Sequence, residues 1–100
     1  MTDALERAPT GLYIDGTWLA SSDGARFDVH GPATGMSIAN VASATVEDAT
    51  AAVEGADAAA MAWRETPPRE RADVLIRSYH AMMARRDDIA EIIVREGGKS

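Results

Sequence analysis

The sequence contains no cysteine. That excludes a disulfide framework, a thiolate metal site and a thiol nucleophile within these residues. Aromatic residues are scarce: Tyr13, Trp18, Phe27, Trp63 and Tyr79 are the full set. Positive charge is also short, with 10 basic residues against 16 acidic ones and a formal net charge of −6. That balance argues against nucleic acid, whose phosphates need a basic footprint. It argues equally against an anionic membrane surface. No apolar run approaches the roughly 20 residues a membrane helix needs. Met1 to Pro9 lacks an apolar core between a basic end and a small-residue site, so it does not read as a secretory signal. A cytoplasmic protein is the expectation.

What is present is an ordinary globular share of apolar residues, 46 % of a 100-residue chain. Disorder of the whole chain is therefore not expected. Much of that share is alanine, which contributes little burial energy per residue. A chain this short buries only about two-thirds of its unfolded surface. The core it can build alone is thin.

Met1 to Thr10 mixes charges with alanine and shows no strong period. Residues 1–11 are expected to be a flexible arm. Leu12-Tyr13-Ile14 and Thr17-Trp18-Leu19 are short β-favouring runs, and the Asp15-Gly16 between them is a hairpin signal. Ser21-Ser22-Asp23-Gly24 is a second turn cluster. Phe27-Asp28-Val29 alternates as a half-buried strand does, and Ser37 to Val41 is the last strand candidate. A meander of short antiparallel strands is expected over this half.

At Thr45 the period changes from 2 to 3.6. Thr45 with Asp48 approximates a capping box. Val46, Ala49, Val53, Ala56, Ala60 and Trp63 recur on one helical face. Thr66-Pro67-Pro68 ends that helix and starts the next, because proline suits a first turn. Ala72, Leu75, Ile76, Tyr79, Met82 and Met83 form a second stripe, with Arg69, Asp73 and Arg77 on the opposite side. Asp87-Asp88 opens a third helix whose stripe is Ile89, Ile92 and Ile93, and Gly97-Gly98 is its expected C-cap. The expected order is strands and then about three helices, with no internal repeat. The last stripe has no later element to cover it, which is how a fragment would end.

None of these residues assembles an active site. Gly97-Gly98-Lys99-Ser100 has the tail of a phosphate-binding P-loop, but Ile93 stands where that motif needs its first glycine. A helix precedes the stretch where a strand is required, so a helix cap is the better account. His80 falls on the polar side of a helix and reads as solvated, while His30 follows a strand and precedes Gly-Pro and reads as a turn residue. Two histidines without cysteine do not make a zinc site. Met82 and Met83 read as core filler. Glu91 and Glu96 sit roughly 140° apart around a helix and do not converge as acid and base.

Taken in order, Tyr13-Ile14-Asp15-Gly16-Thr17-Trp18-Leu19, Phe27-Asp28-Val29, Pro32-Ala33-Thr34-Gly35, Ala62-Trp63-Arg64, Pro68-Arg69-Glu70-Arg71-Ala72, Leu75 and Glu96-Gly97-Gly98-Lys99 resemble the opening of the aldehyde dehydrogenase superfamily. The resemblance runs from about Leu12 to the end of the chain. Two residues depart from it. Gly31 stands where the family usually has asparagine, and Gly97 where it more often has a larger residue. Both are expected to loosen local structure. Details around Trp63 to Leu75, Met82-Met83 and Asp88-Ile89-Ala90 are most similar to succinate-semialdehyde dehydrogenases.

The resemblance implies an α/β parent fold with a Rossmann-type cofactor domain. Residues 12–100 would be an incomplete amino-terminal part of that NAD(P)-binding domain. It implies oxidation of an aldehyde, succinic semialdehyde in particular, to its acid with NAD or NADP. A cysteine attacks the aldehyde, hydride passes to the nicotinamide, and a glutamate activates the hydrolytic water. In the family these groups lie downstream of the matching stretch, so no catalytic, cofactor-binding or metal residue is assigned here. Some members hold a monovalent cation by backbone carbonyls near the positions of Val29 and His30. The complete enzyme is expected to be a homo-oligomer, a dimer or tetramer, acting on a small-molecule aldehyde. The 100-residue chain alone is expected to be inactive and not to bind the cofactor. The competing reading is a stand-alone small α+β interaction module derived from the same family.

Overall fold

The structure, a computed structural model, describes residues 3–98. Lys99 and Ser100, the tail of the P-loop-like stretch, lie outside the described residues. The element order is α1 (Asp3–Arg7), β1 (Leu12–Ile14), β2 (Thr17–Leu19), β3 (Arg26–His30), β4 (Ser37–Ala42), α2 (Val46–Glu65), α3 (Pro68–Ala84) and α4 (Arg86–Gly97).

The Asp15-Gly16 signal makes the hairpin it predicts. Asp15 at φ 52° and Gly16 at φ 77° both take positive φ, the type I′ loop whose twist matches the flanking strands. Tyr13 pairs with Trp18 across β1 and β2, their ring centroids 4.8 Å apart and tilted by 51°. Such a cross-strand pair contributes about 0.2–1 kcal/mol.

The strands do not form one meander. β1–β2 and β3–β4 are separate antiparallel ribbons. The Ser21-Asp23 turn is the reason. Ser21 is buried, and its Oγ donates to Asp23 Oδ1 at 3.0 Å and to the Ala25 carbonyl at 3.1 Å. Ser22 is tied forward to the start of α2, its N–H donating to Asp48 Oδ2 at 3.0 Å. The chain after β2 is thus held at the helix start and not laid back along β2.

β3 and β4 are joined by side chains as well as backbone. Arg26 Nε donates to Asn40 Oδ1 at 2.6 Å, and Asn40 Nδ2 donates to Asp28 Oδ1 at 2.9 Å. The Ala42 N–H donates to the Thr10 carbonyl at 2.8 Å, so the stretch ahead of β1 pairs with the end of β4.

The expected flexible arm over 1–11 contains helix α1. Ala4 is only 3 % exposed, and Arg7 pairs with Asp88 at 2.7 Å. Apolar burial of alanine against α4 and one long-range ion pair outweigh the weak local period. The same contact alters the expectation that nothing covers the third helix. Ile89 and Ile92 are half-buried, facing Ala4, Ala8 and Pro9. Only Ile93 of that stripe is open, at 57 % exposed.

Gly31 does not loosen its turn. It is buried, and a Cβ there would lie 3.2 Å from Ile38 Cγ2 and 3.6 Å from the Arg95 carbonyl. The missing side chain lets the β3–β4 turn close on α4. Its N–H donates to the Met36 carbonyl at 2.8 Å, and its own carbonyl accepts from Gly35 at 2.7 Å.

The helix boundaries follow their sequence signals. Thr45 and Asp48 close a full capping box, and Pro68 opens α3. Gly98 caps α4 in the left-handed region at φ 69°, its N–H reaching the Val94 carbonyl. Packing is another matter. No residue of α2, α3 or α4 is buried. The radius of gyration is 16.6 Å, against about 13 Å for a compact chain of this length. The molecule measures 47 × 35 × 18 Å, a thin plate.

Candidate functional site

The titratable groups considered from the sequence stay apart. His80 is exposed, its ring 5.3 Å edge-on from that of its neighbour Tyr79. His30 is exposed at the end of β3, beside a register shift in the ribbon. Glu91 is half-buried and Glu96 exposed on α4. Among the described residues no three His, Asp or Glu side chains gather to hold a metal ion.

One connected polar cluster is structural. Asp48 Oδ2 accepts from the Thr45 N–H at 2.9 Å and from the Ser22 N–H at 3.0 Å. The Ser22 and Thr45 hydroxyls meet at 2.8 Å. Those two backbone donors, Thr45 first, hold the Asp48 carboxyl below its ordinary value. Asp23 is held low in the same way, first by the Ala25 N–H and then by the Ser21 hydroxyl. The capping half of this cluster was readable from Thr45 and Asp48. Ser22 was not, because nothing in a turn serine signals which helix it will meet.

This cluster bears on cofactor binding. A dinucleotide pyrophosphate is held at a free helix N-terminus. Here α2 begins with Glu47 and Asp48, α3 carries Glu70 in its first turn, and α4 carries Asp87 and Asp88. The Asp48 N–H already serves the cap, donating to Thr45 Oγ1 at 3.0 Å, and the Glu47 and Asp48 carboxylates repel phosphate there. By contrast, Arg69 and Arg71 flank Glu70 in α3, and Arg86 precedes the two aspartates of α4. The start of α2 does not fit a pyrophosphate.

A void of about 110 Å³ lies between α1, β4 and α4, lined mainly by Leu5, Pro9, Val29, Ile38, Val41 and Ile92. It is an apolar packing gap and contains no convergent chemistry.

The remaining feature is a surface. On α2 the half-covered positions are Asp48, Ala52 and Gly55, and Gly55 faces Asp15 of the hairpin loop. The apolar stripe expected to be the contact face lies one residue on, roughly 100° around. It is open, with Val53 68 % and Trp63 44 % exposed. α3 repeats the pattern: Arg71 and Val74 are half-covered, while Leu75 at 67 % and Tyr79 at 58 % are open. Two enclosed polar atoms, Arg71 Nε and Glu91 Oε2, have no hydrogen-bond partner among the described residues. Enclosed polar groups in native proteins almost always have one.

The sequence model of the family described as "Aldehyde dehydrogenase family" matches residues 18–100. Human mitochondrial succinate-semialdehyde dehydrogenase is 39 % identical over 90 residues, which are 90 % of this chain and 16 % of that protein. Malonate-semialdehyde dehydrogenase 1 of Geobacillus kaustophilus is 36 % identical over 88 residues, 88 % of this chain and 18 % of that protein. The crystal structure of succinate-semialdehyde dehydrogenase from Burkholderia pseudomallei superposes with a TM-score of 0.78 at 37 % identity, covering 83 % of this chain and 17 % of that one. The chain thus spans less than a fifth of the length of each of these proteins.

Proposed function

Since the chain belongs to the aldehyde dehydrogenase family, we propose that it forms the amino-terminal layer of an NAD(P)-dependent enzyme that oxidises a semialdehyde, succinic semialdehyde in particular, to the acid. One observation carries this reading: no residue of α2, α3 or α4 is buried, although each helix has an apolar face. Apolar faces stabilise a fold only when they are removed from water, at about 25 cal/mol per Å². The body of the enzyme covers them. It also supplies partners for Arg71 Nε and Glu91 Oε2.

Catalysis belongs to that body. The nucleophile, the water-activating acid and the phosphate cradle are outside these residues, and the acidic first turn of α2 repels a pyrophosphate. The role of this layer is to order the cofactor domain. The semialdehyde reading rests on the relatives, whose names include both malonate and succinate semialdehyde. Their shared chemistry is an aldehyde on a chain that also bears a carboxylate. The intact protein is read as a cytoplasmic homo-oligomer. No described helix is long and apolar enough to cross a membrane.

A chimera tests the reading. This chain replaces the matching segment of the Burkholderia pseudomallei enzyme. The chimera is expected to form reduced cofactor from succinic semialdehyde, followed in the near ultraviolet. A chimera that folds and oligomerises like its parent but lacks activity overturns the proposal.

A further inference from the structure

We draw no further inference here: the strongest candidate, the open apolar face along α2 and α3 around Val53, Trp63, Leu75 and Tyr79, is the surface already assigned to the body of the enzyme, and nothing in the structure shows any other partner that covers it.

Discussion

Arg7 Nη2 donates to Asp88 Oδ2 at 2.7 Å, joining residues 81 positions apart in the sequence. With Ala4 buried beside it, the pair fixes α1 on α4. Both side chains remain partly exposed, at 58 % and 42 %, so the pair itself contributes only about 0.2–1 kcal/mol. Loss of this pair in Arg7→Ala is expected to lower stability by about that amount, and less at high salt. Ala4→Asp, which forces a carboxylate into an apolar contact, is expected to detach α1 outright. Hydrogen exchange of the α4 amides reads both variants. Unchanged protection in Ala4→Asp would show that α1 does not hold α4.

The tie between the β2–β3 turn and α2 depends on an ionised Asp48. Its carboxyl is held below the ordinary aspartate value by the Thr45 and Ser22 N–H groups, and Asp23 is held low by the Ala25 N–H and the Ser21 hydroxyl. A lowered folded value means that the stabilisation is present above the unfolded value. It is lost as pH falls through the folded one. Stability is therefore expected to decline in acid below the ordinary aspartate range, and Asp48→Asn is expected to flatten that decline. Thr45→Ala removes the other half of the box and is expected to cost about 1 kcal/mol. Denaturant titrations across pH check all three. A wild-type acid limb that persists unchanged in Asp48→Asn assigns the effect elsewhere.

Gly98 is constrained by conformation and by space. It has φ 69°, and a Cβ there would sit 3.2 Å from Pro32 Cβ. The proline ring is rigid. Gly98→Ala is expected to cost about 1–2 kcal/mol for the left-handed backbone alone, with the close contact added. Thermal denaturation of the chimera measures it, and a neutral or stabilising result contradicts the geometry.

Leu75 separates the chain from the enzyme. In this structure it is 67 % exposed, so Leu75→Ala in the isolated chain is expected to change stability by less than about 0.5 kcal/mol. In the chimera, if the body of the enzyme covers the face as proposed, the same change is expected to cost about 2–5 kcal/mol. Equal small effects in both would show that the stripe is a solvent face.

The isolated chain is expected to produce no reduced nicotinamide cofactor from succinic semialdehyde. Its open apolar faces favour association, and its melting is expected to be broad and dependent on concentration. Circular dichroism and analytical ultracentrifugation at several concentrations test this. A sharp, concentration-independent melt of a monomer favours the stand-alone module.

Elements whose cause is local were legible in the sequence. Asp15-Gly16 makes its turn because both residues tolerate positive φ. Thr45 and Asp48 cap α2, Pro68 starts α3 and Gly98 ends α4, because each acts within a few residues of itself. The family was legible too, since it lies in the order of such local pieces. Long-range placement was decided only in three dimensions. No local signal told that Ala4 would be buried on α4 or that Ser22 would reach Asp48. Nor did any separate the strands into two ribbons or turn Gly31 from a loosened joint into a close contact. On α2 the helical period located an apolar stripe but not its neighbour: the hairpin loop met the adjacent face at Gly55 and left Val53 open. Periodicity reports that a face is apolar, while burial depends on which surface the rest of the protein brings to it.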